Sequence, residues 1–187
     1  MPPLPLVLLV VAWILGEWVI DRRHRSSGGG ESRDAGTLRL LHLAIGLGFV
    51  IGMALALAGI GRWPAAAATP LHWLGLALMA SGLALRWWAV HTLQRWFTVD
   101  VAIRADHRLV QHGPYRWLRH PSYTGMLMVL TGLGLALGWA PMLALLLPAL
   151  PALARRIRVE EAALATAFPD AWPGHAARTW RLLPGLW

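Results

Sequence analysis

The sequence contains no cysteine and no lysine, and all 17 of its basic residues are arginine. The first absence excludes disulfides, thiolate zinc sites, iron–sulfur clusters and a cysteine nucleophile. The second excludes a Schiff-base lysine. Charge is scarce too, at 14% of 187 residues, against 57% hydrophobic residues and a mean hydropathy of +0.51. A water-soluble domain of this length needs more polar surface. The apolar residues fall instead into runs of about 20, the length a helix needs to cross roughly 30 Å of hydrocarbon. The expectation is an all-α polytopic membrane protein forming one membrane domain over residues 1–187.

The net charge of +8 sits in a few clusters beside the apolar runs. That placement suits membrane orientation and anionic lipid headgroups rather than nucleic acid. The first apolar run, residues 4–20, has no basic residue before it and Arg22, Arg23 and Arg25 after it, the reverse of a cleavable signal peptide. It reads as a first transmembrane helix, followed by a mobile Gly/Ser-rich loop, RRHRSSGGGESRDAG. Further spans are expected at 40–60, 71–90, 123–137 and 142–153, giving about five, with the last two short enough to need tilting or extension. Arginines concentrate in 21–39, 95–119 and 155–181, whereas the loops 61–70 and 138–141 hold only Arg62. The positive-inside rule then puts the N-terminus outside and the Arg-rich segments in the cytoplasm.

Within the spans, Gly48-x-x-x-Gly52 and Gly134-x-x-x-Gly138 have the small-residue spacing of close helix packing, more simply within the chain than between chains. Pro148 and Pro151 are expected to kink the fifth span. Arg86, near a helix end with Trp87 and Trp88, is expected to snorkel to the cytoplasmic interface.

Two polar clusters interrupt this apolar chain, and polar groups are costly enough in lipid to mark candidate chemistry. In DHRLVQHGPYRWLRHPSYTG, residues 106–125, Gly113-Pro114 signals a turn, and Pro121 after His120 signals a helix start. That start would offer free N–H groups and a positive dipole end to an anionic group. The plainer reading makes His107, His112 and His120 interfacial residues, with Tyr115, Trp117 and Tyr123 an aromatic belt. In RRIRVEE, residues 155–161, Arg156 and Glu160 share one helix face, and Arg158 and Glu161 share another. Two intrahelical ion pairs would account for them; a zwitterionic ligand would give two adjacent carboxylates beside three arginines a purpose. The histidines lack the H-x-x-x-H or carboxylate offsets of a zinc site, and there is neither a P-loop nor a G-x-G-x-x-G motif.

HRLVQHGPYRWLRHPSYTG followed by RIRVEE, with LRWWAVHTLQRWFTVD before and RTWRLLPGLW after, resembles the isoprenylcysteine carboxyl methyltransferase family and its prokaryotic relatives. The likeness covers residues 85–187, a methyltransferase core, and leaves 1–84 as N-terminal helices. It implies an integral membrane enzyme, expected in a bacterial inner membrane, that binds S-adenosylmethionine in a cytoplasm-facing pocket. By motif position the cofactor contacts are His107, Leu109, Val110, Tyr115, His120, Pro121, Ser122, Tyr123 and Glu160, and Arg156 matches a substrate-facing arginine. The donor carries a sulfonium, an ammonium and a carboxylate, so a carboxylate, aromatic faces and donors together suit it. Methyl transfer to an ionised acid needs no general base, so catalysis would rest on positioning and desolvation. The implied partners are membrane lipids and a lipophilic acceptor such as a carboxylate, with oxygen, nitrogen and sulfur all open as the methylated atom.

One departure is the tail FPDAWPGHAARTW, where the family usually has an acidic helix containing a tyrosine. Pro169, Pro173 and Gly174 are expected to break that helix. Two other readings stand beside the methyltransferase. Sterol-reductase relatives carry a similar RHP-x-Y-x-G element but bind reduced nicotinamide, and RIRVEE argues against them. A scaffold or transporter would place its polar residues near the midplane rather than on one side.

Overall fold

The computed structural model describes residues 4–24, 34, 36–97 and 108–185, with Arg95 described by its backbone alone. Among the described residues the α-helices are α1 (Leu4–His24), α2 (Thr37–Leu57), α3 (Ala65–Leu93), α4 (Pro121–Leu137), α5 (Trp139–Ala167) and α6 (Ala171–Arg178). Short 3-10 turns occupy Gln94–Trp96 and Gly113–Arg116. The protein is an all-α polytopic membrane protein. Helices α1, α2, α3 and α5 are long and apolar enough to cross a bilayer. The 17 residues of α4 rise about 26 Å, slightly less than the hydrocarbon thickness.

The bundle is organised by two helix pairs, α3 along α4 and α2 along α5. Lipid tails are as apolar as leucine, so burying hydrophobic surface gives transmembrane helices little reason to associate; close backbone approach does. A Cβ at Gly75 would lie 2.4 Å from the Gly132 carbonyl oxygen, and one at Gly82 would lie 2.6 Å from that of Gly125. Glycines seven residues apart on α3 thus face glycines seven apart on α4. The two expected motifs also work inside the chain: Gly48 and Gly52 lie against α5 at Ala144 and Pro141, Gly134 against Met142, and Gly138 against Gly61. Met79, Val129, Leu130, Leu133, Leu145 and Ala149 fill the centre. Leu8, Leu47, Val50 and Leu147 face outward, as a lipid-contacting surface requires.

Three expectations are corrected here. The fifth span does not stop at residue 153: α5 runs unbroken through Pro148 and Pro151 to Ala167, about 43 Å in all. It carries RIRVEE beyond the apolar stretch on the same rigid element. The tail is broken only once. Helix α5 ends before Pro169, but Pro173 and Gly174 lie inside α6, because Pro173 occupies the first turn, where an N–H has no intrahelical partner to lose. Arg86 does not snorkel. It is buried, with Nε and Nη2 donating to the two carboxylate oxygens of Glu17 on α1 at 2.5 Å each. A carboxylate within reach in a low-dielectric setting removes the reason for the guanidinium to seek water.

Candidate functional site

The chemistry gathers where α4 begins and α5 leaves the apolar layer. His120 occupies the position before α4 and is 3% exposed. Its Nε2 lies 3.4 Å from Glu161 Oε1 and its Nδ1 3.8 Å from Glu160 Oε2. Its ring lies nearly parallel to that of Tyr123, centroids 5.6 Å apart. Tyr123, in the first turn of α4, donates its hydroxyl to Glu160 Oε2 at 2.8 Å and accepts from Arg156 Nε at 2.7 Å. Arg156 is 2% exposed; its Nη1 also donates to Asp34 Oδ1 at 2.5 Å and Thr37 Oγ1 at 3.1 Å. A chain of hydrogen bonds therefore runs from the entry of α2 through Arg156 and Tyr123 to Glu160.

Asp34 does double duty. Its Oδ2 accepts from the Leu38 N–H in the first turn of α2, and its backbone carbonyl accepts from the Thr37 N–H and hydroxyl. It thereby caps α2, whose first amides lack intrahelical acceptors, while its Oδ1 balances Arg156.

Glu161 makes a second knot. It accepts from Arg119 Nη1 at 2.9 Å and from Arg181 Nε at 3.0 Å, so the intrahelical pair with Arg158 is not its partnership. Backbone bonds strengthen this junction: Arg119 N–H donates to the Trp180 carbonyl, Trp180 N–H to that of Trp117, and His120 N–H to that of Arg181. The tail is thus strapped over the His120 segment, and Thr124 Oγ1 donates to the Leu182 carbonyl at 2.8 Å. The amides at the start of α4 are largely occupied as well, since Tyr123 and Thr124 N–H both donate to the His120 carbonyl. What α4 presents is its dipole end, not the expected row of free donors.

His120, Tyr123, Arg156 and Glu160 border a cavity of about 430 Å³, within the range that holds a drug-sized ligand. Of the residues singled out from the sequence, Leu109, Val110, Tyr115, His120, Ser122, Tyr123, Arg156 and Glu160 line it. Pro121 is fully buried as the first residue of α4 and is not part of the lining. His107 lies outside the described residues. Burial, reinforced by the Glu160 carboxylate, holds the Tyr115 phenol well above its ordinary pKa, so it stays neutral at any working pH. His175, also in the lining, has a lowered pKa through burial and through Arg119, Arg178 and His120; near pH 7 it is a neutral imidazole. The opposite wall comes from α1 and α2: Trp13, Glu17, Trp18 and Asp21 on one, Leu41, Ile45 and Gly46 on the other. Sequence reasoning missed Glu17, Asp34 and Glu161 as partners. Glu17 did leave a signal, a lone carboxylate inside an apolar run.

A protein-family model, the isoprenylcysteine carboxyl methyltransferase family, matches residues 73–166, just over half of the chain. It spans α4, most of α3, nearly all of α5 and the polar segment between α3 and α4. Among individual proteins, the chain is similar to a protein-S-isoprenylcysteine O-methyltransferase of Tribolium castaneum, 43% identical over 60 residues covering 29% of this chain and 21% of that one. A probable protein-S-isoprenylcysteine O-methyltransferase of Oryza sativa subsp. japonica is 38% identical over 64 residues, 33% of this chain and 34% of the relative. The uncharacterized protein YpbQ of Bacillus subtilis is 32% identical over 57 residues, 30% and 34% of the two chains. In each case the match spans about a third or less of the relative's length.

Proposed function

The chain belongs to the isoprenylcysteine carboxyl methyltransferase family, and from that premise we propose that it is a membrane-embedded methyltransferase using S-adenosylmethionine and a lipophilic acceptor, a carboxylate above all. The observation carrying this reading is the convergence of Glu160, Tyr115, Tyr123, His120 and Arg156 on one cavity at the ends of α4 and α5. The donor group supplies an electrophilic methyl on a sulfonium. The side chains present fit it: Glu160 matches its ammonium, the aromatic faces of Tyr115 and Tyr123 suit the sulfonium, and the α4 dipole end suits its carboxylate. Leu109 and Val110 supply apolar contact, and His107 stands in the same motif. His120 and Ser122 frame the start of α4, and Pro121 sets its first turn.

This chain's residues bind, orient and exclude water; no proton need be removed from an ionised acceptor. Arg156 holds the acceptor through its planar fork and keeps its charge when partly desolvated, with Asp34 exchanging for the acceptor's anionic group. Bringing acceptor and methyl into line is worth several kcal/mol of barrier. The arginine-rich segments support a site on the cytoplasmic side of the membrane, with the N-terminus outside. Residues 85–187 form the methyltransferase core, and the N-terminal helices wall the acceptor's apolar part.

That last point gives a sharp expectation at Gly46. It lines the cavity on α2, and a Cβ there would meet nothing within 4 Å. The Cβ of a larger residue is therefore accommodated, and Gly46→Trp is expected to narrow the chamber. Turnover of long-tailed acceptors is expected to fall about tenfold, some 1.4 kcal/mol, with donor affinity unchanged. Equal turnover across tail lengths would place the tail elsewhere. The function itself is tested by incubating the purified protein in lipid with a labelled methyl donor and a panel of lipophilic acids, thiols and amines. Methylation of one class is expected, and none in any class contradicts the reading.

A further inference from the structure

Arg86 is an arginine inside a membrane-spanning helix, where a charge is costly and is retained for a use. Its fork is fully engaged with the Glu17 carboxylate of α1. The remaining arm, Nη1, reaches across to α4 and donates to Ser122 twice, to the carbonyl at 3.2 Å and to Oγ at 2.7 Å. Glu17, Arg86 and Ser122 all line the cavity. The α4 backbone lies unusually close at this point, since a Cβ on Gly125 would sit 2.9 Å from the Arg86 backbone nitrogen.

An ion pair between α1 and α3 would need only one arm of each partner, and apolar residues of similar volume would serve stability as well or better. The two bonds to Ser122 are what a guanidinium adds and what a lysine's point charge does not reproduce alongside a bidentate carboxylate. Ser122 is followed directly by Tyr123, which holds Glu160 through its hydroxyl.

We propose that Arg86 is a positioning residue: gripping Glu17 on α1 and Ser122 at the start of α4, it fixes the first turn of α4 and so the wall formed by Tyr123 and Glu160. This rests on the reading of that wall as the donor site, on which Arg86 acts through Ser122.

The experiment compares wild type, Arg86→Lys and the charge swap Glu17→Arg with Arg86→Glu, purified in detergent. Two quantities are read: S-adenosylmethionine affinity by calorimetry, and amide hydrogen exchange of the donor-free protein at Tyr123 and Thr124, whose N–H groups bond to His120, against Leu130 mid-helix. In Arg86→Lys we expect donor affinity about tenfold weaker and exchange at the α4 start about tenfold faster, with Leu130 unchanged. The swap restores the ion pair but not the donation to the Ser122 carbonyl, so a folded swap is expected to show the same two losses. Wild-type affinity and exchange in Arg86→Lys would overturn the proposal, as would full recovery of both in the swap, which would mark the pair as structural only. A wild type that binds no donor refutes the donor-site reading, while the exchange data still decide whether Arg86 fixes the helix start.

Discussion

Replacing Glu160 by glutamine is expected to weaken S-adenosylmethionine binding by roughly one to two orders of magnitude while leaving the bundle folded. Glu160 is about one-third exposed at its side chain, lies in the cavity lining, and accepts from the Tyr123 hydroxyl. Glutamine keeps an oxygen that accepts from Tyr123, so the helix-to-helix bond survives; what disappears is the negative charge. Losing a charge-assisted hydrogen bond to an ammonium costs about 1.5 to 3 kcal/mol, which sets the size of the effect. If Glu160 serves only to seat Tyr123, the glutamine variant will bind the donor as wild type does, and calorimetry separates the two outcomes directly.

Arg156→Lys is expected to lower methylation of an acidic acceptor by about 2 kcal/mol, some thirtyfold, with donor affinity within a factor of two. Lysine is the informative replacement because a neutral residue would remove both the charge opposite Asp34 and the fork, whereas lysine removes the fork alone. The lysine keeps the charge opposite Asp34 but loses the planar fork that also reaches Tyr123 and Thr37. The competing account is that Arg156 merely organises the chain from Asp34 to Glu160. Donor affinity would then fall with turnover, and steady-state kinetics alongside a donor titration tell the accounts apart.

Much of the bundle was legible in the sequence because its signals are local. Apolar runs near 20 residues gave the helices, Pro121 after His120 marked the start of α4, and the spacing of Arg156 and Glu160 put both on one stretch of α5. The two glycine motifs followed from the same short-range logic. What escaped was set by distant residues. Glu17 and Arg86 are 69 positions apart, so nothing in the sequence around Arg86 announces a partner that removes its need for water. Asp34 sits at the end of a Gly/Ser-rich stretch that reads as loop, and its bond to Arg156 crosses 122 positions. The glycines of α3 and α4 recur every seven residues rather than four, and their meaning appears only when the two helices are seen face to face. Pro173 and Gly174 read as breakers until the frame of α6 places the proline in its first turn, where it is harmless. For the site, the residue types were readable and their pairings were not: helix spacing put Glu161 beside Arg158, and it is held by Arg119 and Arg181.

The most direct test of the central claim is a pair of calorimetric titrations on the purified wild-type protein, one with S-adenosylmethionine and one with NADPH, the nucleotide that the reductase reading requires. The account predicts saturable binding of S-adenosylmethionine at one site per chain and no binding of NADPH; saturable NADPH binding without S-adenosylmethionine binding would contradict it.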